Sequence, residues 1–112
     1  MVSRRSGFVD YLSEVFQSFG VVHAKRMFGG FGIYHDDLMF GLVADDVLYL
    51  KADAESAPAF AARNLAQFEY LKQGRPVRLS FYAAPEEIFD DPDEARDWAI
   101  LAFEAALRSQ RR

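Results

Sequence analysis

Cysteine is absent from this 112-residue sequence. That removes disulfide frameworks, thiolate zinc sites, thiol nucleophiles and iron–sulfur ligation together, and it suits a reducing cytoplasm. Histidine is nearly absent, with His23 and His35 the only two. An excess of positive charge is also missing. Thirteen Lys and Arg stand against seventeen Asp and Glu, for a net charge of −4, and the basic residues are scattered. Phosphate-dominated DNA binding by this chain is therefore not expected. Long apolar runs are lacking as well. No stretch approaches the roughly 20 apolar residues of a membrane span. The opening Met1-Val2-Ser3-Arg4-Arg5-Ser6-Gly7 lacks the apolar block of a signal peptide. These absences predict a cytoplasmic protein with no membrane partner and no direct nucleic-acid partner.

What is present is apolar and aromatic. Hydrophobic residues make up 51%, with eleven Phe and five Tyr, ample to offset the conformational entropy of ordering the chain. The length suits one hydrophobic core, so residues 1–112 are expected to form a single domain. Phe8, Leu12, Val15, Phe16 and Phe19 recur at helical spacing and predict a first helix from about Ser6 to Phe19, stopped by Gly20. From His23 the period falls to two, giving a strand that runs into Gly29-Gly30-Phe31-Gly32. Three short strands follow, Gly32 to Tyr34, Leu38 to Val43 and Val47 to Lys51, joined at Asp36-Asp37 and Asp45-Asp46. Aspartate tolerates left-handed backbone and caps turns with its own side chain, so both pairs signal hairpins. The middle strand is apolar on both faces and should be central and covered on each side.

Ser56 and Pro58 open a short helix to about Asn64. Phe68 to Lys72 and Val77 to Tyr82 form a second hairpin about Gly74, with Val77, Leu79 and Phe81 alternating against Arg78, Ser80 and Tyr82. Asp91-Pro92-Asp93-Glu94 combines an N-cap, proline at the first helical position and acids in the first turn, announcing a last helix. That helix should carry Trp98, Leu101, Ala102, Ala105 and Ala106 inward and end in basic residues. The fold class is α+β, a mainly antiparallel sheet of about six strands in the order α-β-β-β-β-α-β-β-α, with helices packed on it.

Little chemistry emerges from these residues. A phosphate cradle needs a helix after its glycines, and here a strand follows; a bulge or tight bend where only glycine fits is the better reading. His23 and His35 with Asp36 and Asp37 do not have the spacing of a zinc site, and the two Asp turns lie at opposite ends of one strand. Glu86, Glu87, Asp90, Asp91, Asp93 and Glu94 mostly begin helices, where negative charge is stabilising. No serine sits in a nucleophile elbow. Neighbouring basic and aromatic residues, such as Arg26 with Phe31 and Tyr34, Tyr49 with Lys51, and Arg78 with Tyr82, would suit a stacking platform for nucleic acid, but core or cross-strand pairing explains them more simply.

The run Lys25-Arg26-Met27-Phe28-Gly29-Gly30-Phe31-Gly32-Ile33-Tyr34, followed by Leu38 to Val43 and Val47 to Lys51, resembles the N-terminal domain of the TfoX/Sxy family. Phe68-Glu69-Tyr70, Val77 to Tyr82, Pro85-Glu86-Glu87 and the Trp98 helix fall in the family's order, so the resemblance covers nearly the whole chain. The family favours Asp-Gly at both hairpin turns where this sequence has Asp-Asp. Its members are bacterial co-activators associated with natural competence, acting with the cAMP receptor protein and carrying a C-terminal helical domain before which this chain stops. The resemblance implies a stand-alone, non-catalytic domain that binds a protein partner, the transcription machinery being one candidate, with no catalytic residue and no cofactor. Its motif residues Arg26, Met27, Phe28, Gly29, Gly30, Gly32 and Tyr34, with Tyr49 and Lys51, form the candidate interaction patch. The alternative is a small-ligand or enzymatic site beside Gly29 to Gly32. Monomer and weak homodimer are both compatible with the sequence.

Overall fold

A computed structural model describes residues 7–27 and 29–111. The elements follow the expected order: α1 (Gly7–Val15), β1 (His23–Met27), β2 (Gly30–His35), β3 (Leu38–Ala44), β4 (Val47–Lys51), α2 (Ala57–Ala61), β5 (Gln67–Lys72), β6 (Arg75–Ala83) and α3 (Pro92–Gln110). A short 3-10 turn at Glu86–Phe89, unforeseen in the sequence, leads into α3. The strands form one antiparallel sheet in the order β1-β2-β3-β4-β6-β5.

Turn chemistry shapes the meander as expected. Asp36 and Asp37 (φ 48° and 64°) and Asp45 and Asp46 (φ 52° and 58°) all occupy the left-handed region, the backbone of a tight hairpin whose twist matches that of its strands. The β5–β6 turn repeats this at Gln73 and Gly74.

Helix ends differ in detail. α1 ends at Val15 and the chain continues in turns through Phe19, with the Gly20 N–H donating to the Phe16 carbonyl at 3.0 Å. Phe16 and Phe19 still reach the core, their ring centroids 5.5 and 5.3 Å from that of Phe40. The expected start at Ser6 lies outside the described residues. Ser56 does not cap α2 with its side chain. Asp53 instead orders the turn that leads into it: its Oδ1 accepts from the N–H groups of Glu55 and Ser56, its carbonyl oxygen accepts from the N–H of Ala57, and the Ser56 hydroxyl accepts from the Asp53 N–H. Asp91 caps α3 as predicted, accepting from the N–H groups of Asp93 and Glu94.

The core lies between one face of the sheet and the helices. One cross-strand row, Ala24–Ile33–Gly41–Leu50–Tyr82, points toward the helices; Ile33 and Leu50 are buried, and Tyr82 stacks on Phe60 of α2 at 5.2 Å. α3 meets this face with small residues, Ala95, Ala99, Ala102, Ala105 and Ala106, which let the helix lie close to the strands. Trp98 and Leu101, also expected inward, are partly buried and pack against the edge of the cluster.

The other face departs from expectation. β3 is interior to the sheet, yet among the described residues no helix covers its second face, so the apolar character of β3 on both sides does not mean burial between two layers. A bulge explains part of the pattern. Between Ile33/Gly41 and Tyr34/Met39 the register slips by one residue on β3, leaving Phe40 unpaired. Such an extra residue re-aims side chains, and here it sends Phe40 fully into the core.

Candidate functional site

The adjacent row, Lys25–Gly32–Leu42–Tyr49–Ala83, alternates with the core row and so faces away from the helices. Two residues further along each strand, Met27, Tyr34 and Lys51 join it. The β5–β6 ribbon then supplies a wall. Only Phe81, Tyr82 and Ala83 of β6 pair with β4, so the rest of that hairpin projects past the sheet. A bulge between Gln67 and Glu69 leaves Phe68 unpaired, and its ring meets Tyr49 edge-on at 4.9 Å. Floor and wall enclose a groove of about 830 Å³ whose apolar lining includes Met27, Met39, Leu42, Phe68, Tyr70 and Leu79. Tyr70 and Leu79 remain 39% and 36% exposed.

The glycines shape this groove. Gly29 holds a φ of +79° with open space around it, and a Cβ on Gly30 would sit 2.2 Å from the Val43 carbonyl oxygen. Both line the groove where β1 turns into β2. Gly32 is buried under the Met27 and Met39 sulfurs and the Tyr34 ring, all within 2.9 Å of where its Cβ would be. The thioethers thus lie over a glycine floor, flexible side chains on a fixed base.

Cations edge the same face. The Lys25 ammonium sits 4.7 Å from the Tyr34 ring centroid and the Lys51 ammonium 5.1 Å from that of Phe81, while Lys72 lines the groove directly.

The sequence-derived patch is divided by this geometry. Met27, Gly29 and Gly30 line the groove; Gly32, Tyr34, Tyr49 and Lys51 belong to the same sheet face beside it. Arg26 does not share that face. It pairs with Phe31, over whose ring its guanidinium lies at 5.3 Å, on the row that continues to buried Val43. Phe28 lies outside the described residues. Met39, Leu42, Phe68, Tyr70 and Leu79 were missed. The apolar alternation Val77, Leu79, Phe81 was a usable signal, but it faces away from the helices, while Tyr82 on the opposite side enters the core.

The other candidate clusters resolve structurally. The His35 ring lies 4.6 Å from the Phe19 ring and 5.1 Å from the Phe103 ring, and its Nδ1 is 2.7 Å from the Val21 carbonyl oxygen. Among the described residues no three His, Asp or Glu side chains gather to hold a metal ion. Of the acids from Glu86 to Glu94, Asp91 caps α3 and Glu87 pairs with Arg63. Among the described residues no helix is long and apolar enough to cross a membrane.

The family model for the TfoX N-terminal domain matches residues 14–106, from α1 through all six strands into α3. The chain belongs to that family. No curated protein matches it.

Proposed function

We propose that this TfoX N-terminal domain is a non-catalytic interaction domain whose partner is a protein, docked in the groove on the helix-free face of the sheet. The observation that carries this reading is the groove itself: apolar and aromatic side chains, several half-exposed, on a sheet face that no helix covers among the described residues. A contiguous apolar surface of this kind on a small domain marks an interaction site. Aromatic and methionine side chains are the types enriched at the centres of protein interfaces. The family supports a partner from the transcription machinery and a cytoplasmic setting.

The groove volume, about 830 Å³, also falls within the ~300–1,000 Å³ of small-molecule sites, which supports an apolar small ligand as second reading. One experiment separates the two. Proteins captured from the source organism's lysate are identified and purified, then their binding to the parent and to the Tyr70→Asp/Leu79→Asp double variant is measured. The expected result is binding lost in a variant that melts like the parent. Equal binding by both proteins, or an apolar small molecule retained by the parent in native mass spectrometry with no protein captured, would overturn the protein-docking reading.

A further inference from the structure

The groove face carries a charge pattern opposite to that of the chain. The chain's net charge is −4 and it has three lysines, Lys25, Lys51 and Lys72. All three fall on the helix-free face: Lys25 opposite Gly32, Lys51 opposite Phe81, and Lys72 opposite Arg75 on the row continuing from Tyr70 and Val77. The six strands contain a single acid, Glu69. It borders the groove, but its carboxylate lies 3.6 Å from the Arg78 guanidinium. The other bordering acid is Asp45, in the β3–β4 turn at one end. Lys72 thus lines the apolar groove, and Lys25 and Lys51 stand on the same sheet face beside it, in a chain whose net charge is negative.

We propose that the groove takes an acidic amphipathic segment of a partner protein, whose aromatic or aliphatic anchors enter between the β5–β6 ribbon and the sheet while its Asp and Glu side chains meet Lys25, Lys51 and Lys72. This rests on reading the groove as a protein-docking surface and adds the chemistry of what docks. Charge complementarity of this sort sets orientation and excludes wrong partners, because a basic segment would be repelled by the same lysines. Nucleic acid fits less well. Stacking a base needs a free ring face, and here Lys25 lies over the Tyr34 ring, Lys51 over the Phe81 ring, and Phe68 meets Tyr49 edge-on. Three separated lysines also form no continuous track for a phosphate backbone.

The test uses the full chain and a phage-displayed library of random short peptides. Selection is expected to enrich peptides that combine aromatic or aliphatic residues with Asp and Glu. The selected peptide should bind about tenfold or more weakly to the Lys25→Glu/Lys51→Glu/Lys72→Glu variant, should lose affinity when its acids become Asn and Gln, and should weaken with salt. A Lys→Gln triple variant, checked by circular dichroism, serves if charge reversal disturbs folding, and the same weakening is expected. Neutral or basic peptides that bind the lysine variants as well as the parent, yet fail on Tyr70→Asp/Leu79→Asp, would overturn the acidic chemistry and leave docking standing. No enriched peptide, or peptides indifferent to the Tyr70 and Leu79 substitutions, would overturn docking as well. Displacement of peptide by a single-stranded oligonucleotide at equal concentration would overturn the proposal in favour of nucleic acid.

Discussion

Arg108, in the last turn of α3, grips the carboxylate of Asp53 just beyond β4 with two hydrogen bonds, Nε to Oδ2 at 2.6 Å and Nη2 to Oδ1 at 3.0 Å, across 55 residues of sequence. The same carboxylate receives the N–H groups of Glu55 and Ser56 ahead of α2. One side chain therefore ties the end of the sheet, the start of α2 and the end of α3. Glu55 adds a further contact to Arg108 at 3.3 Å, but it is largely exposed and solvent screens it.

This arrangement has a pH signature. The Arg108 hydrogen bonds, aided by those from Ser56 and by the guanidinium charge, hold the Asp53 carboxyl well below the usual carboxylate range despite the opposing effect of burial. A folded-state value lower than the unfolded one, near about 3.9, means that the unfolded state takes up the proton first as the pH falls. Stability from Asp53 is therefore fully present at neutral pH and declines from about pH 5 downward. Asp53→Asn should lower the melting temperature at pH 7 and flatten its dependence on pH in the acid range, whereas Glu55→Gln should do neither to a comparable degree. Parallel melting curves for parent and Asp53→Asn from neutral to acid pH would refute this role.

Phe40 is the second test. It is the extra residue of the β3 bulge, fully buried, and it contacts rings from the α1 turn and, at 6.5 Å between centroids, Phe103 of α3. Phe40→Ala should cost about 3–5 kcal/mol in urea unfolding. Tyr70→Ala, on the exposed groove wall, should cost under about 1 kcal/mol. An unfolding midpoint unmoved by the Phe40 substitution would place the bulge outside the cooperative core.

The contrast between these residues shows what the sequence could and could not convey. Hairpin turns and the α3 cap are local: Asp36-Asp37, Asp45-Asp46 and Asp91-Pro92 carry their conformations in their own side chains, so they were legible. The bulge at Phe40 depends on how β3 lies against β2 and has no local mark, so β3 read as apolar on two faces without revealing that one face is open. The projection of the β5–β6 ribbon likewise arises because β6 outruns β4, a matter of pairing. The basic end of α3 was expected, but the partner that its Arg108 finds is 55 residues away. The groove was half legible for the same reason. Its glycine bend is a contiguous motif, while the rest of its lining comes from β3, β5 and β6.

Duplex DNA should not bind this domain appreciably at physiological salt. The net charge is −4, and Arg26 and Lys51, which the sequence placed in one patch, stand on opposite faces of the sheet. Fluorescence anisotropy with a random-sequence duplex should show no saturable binding in the micromolar range. A sub-micromolar affinity that falls steeply with salt would contradict the expectation.

The last prediction ranks the glycines by cause. At Gly29 a side chain meets open space but the φ of +79° is left-handed, so Gly29→Ala should cost about 1–2 kcal/mol from backbone strain alone. At Gly32 the obstructing atoms are two methionine sulfurs and the Tyr34 ring. These can shift, so Gly32→Ala should cost about 1–3 kcal/mol as mild overpacking, and it should also alter binding because the displaced Met27 and Met39 side chains line the groove. At Gly30 the obstacle is the Val43 carbonyl oxygen, 2.2 Å from the would-be Cβ. Backbone fixed in a sheet cannot yield as a thioether does, so Gly30→Ala should be the most damaging, about 3 kcal/mol or more. Thermal unfolding of the three single variants, read beside peptide binding, checks the order. Gly32→Ala as damaging as Gly30→Ala would mean that the methionines are held rigidly, and three variants as stable as the parent would move the glycine motif from architecture to ligand contact.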